Sequence, residues 1–530
     1  MTAAIALAGT VPLARIRVRI DRMRLVLGTA GLVVMVGASA ASIKSLFPTQ
    51  ADLDQAAAGS DNPAIRAFNG PAQALDTLGG QVAFQIGAPG FVLAALASIL
   101  LTTRLTRREE ESGRLELVRA LPVGRGSSMA AAAGVLGLMN VVIGLGVALV
   151  CLASGLPAAG CWAFGLGFTT VGWVFSAVAL VAAQLASTSR AASGLAGVVL
   201  ALSFVLRAIG DMTNGVLSWF SPIGWAQAAR PWAGERWWVF LLPMAATVAL
   251  GVMARALLVR RDLGGGLLPA RRGPAIAAPR LATPLALAVR QHRATVIGWS
   301  AALALFGFVY GVIVDSIEEF VSDNEAMTEF MAAGGGASLT ESYLAQSIRV
   351  LVLIASGFTA QAVLRARGEE TSGRAEPLLS LPVTRRSWLG SHASIAAIGS
   401  IVITLAAAAA MGVGVLIATG DPDQVGGLFG ASLAYTPALM IVVAVGLAIS
   451  GWLPRAAVAT WALVAGAMVI GMFGPVLNLP DWVSNLSPFE HIALAPAEST
   501  TLVPLVVLSV VAVVLAVAGF VGIDRRDVPT

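Results

Sequence analysis

Twelve runs of about 20 apolar residues decide what this chain can fold into. A helix of that length crosses the hydrocarbon of a bilayer while bonding all of its own backbone amides, so repeated runs mark a polytopic helical protein. They read Leu25–Phe47, Val82–Thr103, Ser127–Ser154, Cys161–Ala186, Ala191–Gly210 and Trp237–Val259 in the first half of the 530 residues. Val296–Val314, Tyr343–Leu364, Ser387–Thr419, Gly427–Trp452, Ala456–Phe473 and Val503–Ile523 follow in the second. Composition agrees: 57% of residues are hydrophobic and 12% charged, which excludes a soluble globular domain. The excess of 34 basic over 29 acidic residues is too small to make a nucleic-acid surface.

The chain is also duplicated. Arg107–Arg125 reads RREEESGRLELVRALPVGR, and Arg367–Arg385 reads RGEETSGRAEPLLSLPVTR, matching at 11 of 19 positions at an offset of 260. Arg190-Ala191-Ala192 returns as Arg455-Ala456-Ala457, Ser221-Pro222 as Ser487-Pro488, and Arg260-Arg261-Asp262 as Arg525-Arg526-Asp527. Residues 1–262 and 281–530 therefore read as two six-helix halves joined by a linker, 263–280, rich in Gly, Pro and Arg. An even number of spans per half makes them parallel repeats.

Charge sets the expected orientation. Arginines fill the N-terminus, both copies of the repeated loop (105–125 and 365–385), the linker and the C-terminus. Acids crowd the alternate loops, with Asp315, Glu318, Glu319, Asp323, Glu325 and Glu329 in one, and Asp481, Glu490 and Glu498 in another. Both termini and both repeated loops are thus expected in the cytoplasm. Residues 10–24, with Leu13, Ile16, Ile20 and Met23 on one face and Arg15, Arg19 and Arg22 on another, read as a separate amphipathic helix lying in the interface.

Several chemistries are missing. Lys44 is the only lysine, so no phosphate-binding GxxxxGK[ST] loop exists, and His292, His392 and His491 are scattered, which disfavours a metal site. Cys151 and Cys161 read as free buried thiols. Within the boundaries above, no span holds an Asp or Glu, whereas ion-coupled carriers generally need an intramembrane carboxylate. Energy is then expected from a separate ATPase. The repeated loop would dock in that partner through Glu109, Glu110, Ser112, Gly113, Arg114, Glu116 and Leu121, and through Glu369, Glu370, Ser372, Gly373, Arg374, Glu376 and Leu381. A solvated loop that only fixes topology is the plainer alternative, but the duplication of its uncharged residues argues for contact. On the docking reading, reversing the charge of Glu110 and Glu370 together leaves insertion intact and abolishes coupling. Gln85, Gln346, Arg349 and Arg207 are the polar residues inside spans and form the expected substrate pathway, with no carboxylate to pair Arg349.

The EE-x-SGR-x-E…LPV loop after the second span, the basic helix before the first and the closing Arg-Arg-Asp together resemble the ABC-2 type exporter permeases, a type V exporter-like architecture. The fused twelve-span form resembles actinobacterial antibiotic exporters of the tetronasin (polyketide) type. The resemblance covers essentially the whole chain. It implies coupling helices at Glu109–Leu121 and Glu369–Leu381, a connecting helix at 10–24, and outer re-entrant hairpins around Met212–Arg236 and Pro475–Ala497. It further implies two copies of a cytoplasmic ABC ATPase carrying the ATP and Mg2+, a small hydrophobic or amphipathic substrate, and the plasma membrane of a bacterium. On this view the chain is not itself an enzyme. Pro377, where the first copy has Leu117, departs from a strict repeat and puts the equivalence of the two loops in question. The rival expectation is an ion-coupled secondary carrier with two six-helix halves.

Overall fold

A computed structural model of the chain describes residues 7–58, 63–262, 264–268, 275–314, 339–477 and 480–526. Among these residues every regular element is helical. Twelve helices are long and apolar enough to cross a bilayer: α1 Thr10–Leu46, α2 Leu78–Glu111, α3 Ser127–Ala153, α4 Ala158–Leu185, α5 Ser189–Met212, α6 Trp237–Arg260, α7 Pro284–Val312, α8 Thr340–Thr371, α9 Arg385–Thr419, α10 Val425–Trp452, α11 Pro454–Met472 and α12 Leu502–Arg525. Each coincides with an apolar run of the sequence. The chain divides into two compact units, Met1–Gly273 and Pro274–Thr530. The expected acidic loop at Asp315–Glu329, Asp527 and part of the linker fall outside the described residues.

In the first unit α4 is the central helix, packed by α2, α3, α5 and α6. Phe91 of α2 and Phe164 and Phe168 of α4 interlock with ring centroids 4.9–5.8 Å apart. A buried polar relay links α2, α3 and α4: Ser98 Oγ donates to Asn140 Oδ1 at 3.0 Å, and Asn140 Nδ2 lies 3.4 Å from Ser176 Oγ. With apolar groups equally at home in lipid, such bonds and close packing hold spans together. Trp232 packs within its own unit, donating from Nε1 to Pro157 O at 3.0 Å and packing on Phe164.

In the second unit α8 is the most enclosed helix, against α7, α9, α10 and α11. The tightest seam joins α7 to α9. Gly307 and Gly311 lie one turn apart on α7, and a Cβ added to either would come within 2.2 Å and 2.1 Å of the carbonyl oxygens of Ala407 and Met411. Only glycine lets the two backbones touch.

One boundary differs from the sequence reading. Residues 10–24 do not form a separate helix; they are the first turns of the unbroken 37-residue α1, about 55 Å long. Leu13, Arg17 and Asp21 recur every fourth residue and are buried, because Arg17 donates to the backbone and hydroxyl of Ser128 and Asp21 pairs with Arg104 at 2.8 Å. Arg17 and Asp21 are thus partnered inside the unit, while Arg15, Arg19 and Arg22 stay exposed. Cys151 and Cys161 are free and buried.

Candidate docking loops and the arginine clusters behind them

Both copies of the repeated loop are built the same way. The second span of each half runs past its apolar stretch, and in the first half it widens into a π-helical turn at Arg104–Arg108 before Glu109–Glu111. Each helix then breaks at a glycine with left-handed backbone, Gly113 at φ 72° and Gly373 at φ 69°, a conformation that any side chain strains. A short helix follows, Arg114–Arg119 in the first copy and Glu376–Leu379 in the second. Pro377 explains the shorter second one: it sits in the first turn, where its missing N–H costs nothing, and helix begins two positions later in the repeat.

The two glutamates of each EE pair have separate fates. Glu110 is largely enclosed, receiving Arg107 at 2.8 Å and Arg261 at 2.5 Å. Arg261 is the middle residue of Arg260-Arg261-Asp262, so the repeated loop and the repeated helix terminus meet. Arg125 closes the cluster, donating to the Arg261 carbonyl at 2.9 Å. The second half repeats every element: Glu370 receives Arg367 at 2.7 Å and Arg526 at 2.5 Å, and Arg385 donates to the Arg526 carbonyl at 2.7 Å. Glu110 and Glu370 are therefore turned inward, fastening the loop to the end of the last span of their own half. Charge reversal there tests folding before it tests coupling.

The residues left on the outside are a smaller set. Ser112, Arg114, Glu116 and Leu121 are exposed, as are Ser372, Arg374, Glu376 and Leu381. Glu109 is partly exposed and lies 3.5 Å from Arg114, whereas Glu369 is buried against His392 at 3.4 Å and Arg365 at 3.8 Å. His292 Nε2 lies 3.1 Å from His392 Nδ1, so two of the three histidines that the sequence leaves scattered are neighbours behind the second loop. Nothing in the spacing of residues 100 apart signals this.

The expected pathway residues do not assemble within either unit. Gln85 and Gln346 are exposed on the surfaces of their respective units. Arg207 is fully buried near the end of α5, pairing with Asp211 at 3.3 Å and donating to Phe68 O at 3.1 Å, with its guanidinium over the Phe204 ring. The sequence boundary at Gly210 stops one residue short of Asp211; the helix continues to Met212 and supplies the partner. Asp21 and Asp211 thus lie on span helices, and each is ion-paired to arginine. Arg349 also has a carboxylate after all. Glu490, from the connection between α11 and α12, reaches in to pair with it. At the repeat offset Glu490 falls opposite Gly224, so the pair belongs to the second half alone.

The Arg349–Glu490 contact bridges residues 141 apart with both side chains largely enclosed. A double-mutant cycle of Arg349→Ala and Glu490→Ala, read by thermal unfolding in detergent, should return a coupling of about 1–3 kcal/mol. Strictly additive losses would dissolve the pair.

Comparison with known proteins agrees with this architecture. Residues 281–523, nearly all of the second half, match the family model described as multidrug efflux system permease Rv1217c, C-terminal domain. The whole chain is 37% identical over 527 residues to the multidrug efflux system permease protein Rv1217c of Mycobacterium tuberculosis (strain ATCC 25618 / H37Rv), covering 98% of this chain and 95% of that one. A twelve-helix chain aligned nearly end to end with that relative belongs to the family of multidrug efflux permease proteins that Rv1217c represents.

Proposed function

We propose that the chain is the membrane-spanning subunit of an ATP-driven exporter of the ABC-2 type, moving hydrophobic or amphipathic drugs and antibiotics outward across a bacterial plasma membrane. The observation that carries the reading is the duplicated loop: an inward glutamate locked to the last span, and beyond it the exposed row Ser112, Arg114, Glu116 and Leu121 with its copy Ser372, Arg374, Glu376 and Leu381. A loop that only marked topology would need neither the fastener nor a repeated outer face. The fastener makes the loop one rigid piece with two spans, so force on the outer face passes into the membrane helices. Two loops call for two ATPase subunits, each bringing ATP and Mg2+, with the loops and both termini cytoplasmic. Support against ion coupling comes from Asp21 and Asp211, whose carboxylates are each paired with arginine.

The test is the purified complex. One permease chain should co-purify with two ATPase subunits, read from the mass of the detergent-solubilised particle. Glu116→Lys combined with Glu376→Lys should abolish that association while leaving unfolding of the permease within roughly 0.5 kcal/mol, since both sites are exposed. ATP-independent transport in inverted vesicles that a protonophore abolishes would replace this reading with the secondary carrier.

A further inference from the structure

The two arginine clusters share a plan, yet among the described residues one is filled and the other is open. In the first unit, chain leaving α6 folds back over the cluster. Arg107 donates to Gly264 O at 2.7 Å and Gly265 O at 2.9 Å and to Ser187 O at 2.7 Å, and Arg261 donates to Gly265 O at 3.1 Å. The segment is pinned there by Leu267 and Leu268, whose amides bond to Gln184 O at 3.2 Å and Leu185 O at 2.9 Å. Gln184 Oε1 takes the remaining Arg261 Nε at 2.6 Å, and Glu111 caps Ser189 through its amide and hydroxyl. Oxygen atoms of the chain thus saturate the first cluster.

At the repeat offsets the side chains that fill and brace this cluster are lost from the second half, and the counterparts of Gly264 and Gly265 lie outside the described residues. Gln184 becomes Ile449, Glu111 becomes Thr371 and Ser189 becomes Pro454. Arg526 accordingly keeps Nε and Nη1 buried without a hydrogen-bond partner among the described residues. Beside it opens a cavity of about 420 Å³ lined by Arg367, Trp452, Arg455 and Arg526. Arg455 is exposed and forms no ion pair among the described residues, and Glu370 is the one acid in the cluster. Buried guanidinium donors left unmade are costly, and a phosphate supplies several charged acceptors at once. The cavity sits where the apolar helices α10 and α12 end, and Trp452 is a residue type enriched at membrane interfaces.

We propose that this cavity in the second unit binds a phosphate-bearing anion, supplied by the headgroup of an anionic phospholipid, which completes the Arg367–Arg526 cluster as the chain's own carbonyls complete the Arg107–Arg261 cluster. The inference rests on the membrane-spanning fold and the internal repeat, and stands apart from ATPase coupling. Its consequence is asymmetry: both loops are fastened by the chain, but one arginine cluster is completed by the chain's own carbonyls and the other by the surrounding lipid.

The test is thermal unfolding of the full chain, stripped of lipid in a neutral detergent and titrated with phosphatidylglycerol, phosphatidylcholine or inorganic phosphate. Phosphatidylglycerol should raise the midpoint saturably and phosphatidylcholine should not. Arg455→Glu should weaken the phosphatidylglycerol response about tenfold, as expected for reversing one cation near a headgroup, whereas Arg190→Glu, its counterpart on the filled side, should leave it unchanged. Ile449→Gln, which returns the missing acceptor, should raise the midpoint without lipid and shrink the lipid effect. An equal response to inorganic phosphate would keep the site and make a free anion its source. Equal responses to both phospholipids, an Arg455→Glu protein that responds normally, or a response that appears only after deleting residues 527–530 would overturn the proposal.

Discussion

Glu110→Ala should unlatch the first loop and destabilise its unit by about 3–5 kcal/mol, because it leaves Arg107 and Arg261 buried without their shared counter-charge. Arg107 is 1% exposed, so water cannot replace the carboxylate without opening the cluster. Glu110→Gln keeps acceptor geometry but loses the charge and should fall between the two. The expected signs are a lower unfolding midpoint, a smaller monodisperse fraction in detergent and faster protease cleavage between Ser112 and Arg125. Glu370→Ala should act in the same direction and less strongly, since Arg367 and Arg526 are 18% and 14% exposed and border an open cavity. An Glu110→Ala protein with unchanged midpoint and cleavage rate would refute the fastener.

The second large effect is expected at the α7–α9 seam. Gly311→Ala places a methyl 2.1 Å from Met411 O and 2.9 Å from Val415 N, both backbone atoms that no rotamer change can move. The helices must separate along the seam, at the upper end of the roughly 1–3 kcal/mol that overpacking typically costs. Gly311→Val should exceed it. Gly298, on the same helix with nothing within 4 Å of its virtual Cβ, is the control: Gly298→Ala should be neutral or slightly stabilising through helix propensity. Thermal unfolding of the three variants decides, and equal midpoints for Gly311→Ala and Gly298→Ala would mean the seam is not close-packed.

How far the sequence carries can be read from particular residues. The twelve helices were legible because apolar length is a local property, and α3 and α9 fall within two residues of their expected ends. The loops were legible because duplication marks Glu110 and Glu370 without any knowledge of contacts. Their partners were hidden: Glu110 and Arg261 are 151 residues apart, and the two motifs recur at different offsets. A signal existed nonetheless, since both charged motifs are kept in both halves. Amphipathic periodicity placed Arg17 and Asp21 in a helix but could not say that protein, not headgroups, covers them. Arg349 was singled out for lacking a partner because Glu490 arrives from a separate connection. The Gly307–Gly311 spacing is a signal the sequence does carry, since small residues four apart in a span mark close helix packing.

The fastener also sets an order of events during synthesis. Arg261 leaves the ribosome 151 residues after Glu110, and Arg526 follows Glu370 by 156. Each loop therefore emerges with its glutamate paired only to the arginine three residues before it and is not locked until the sixth helix of its half has been inserted. Locking is a report that all six have arrived in the right orientation, because a missing or inverted helix would carry the closing arginine to the wrong side of the bilayer. A half-made protein would thus offer its loop to proteases, and the closing of that bond marks the completion of each half.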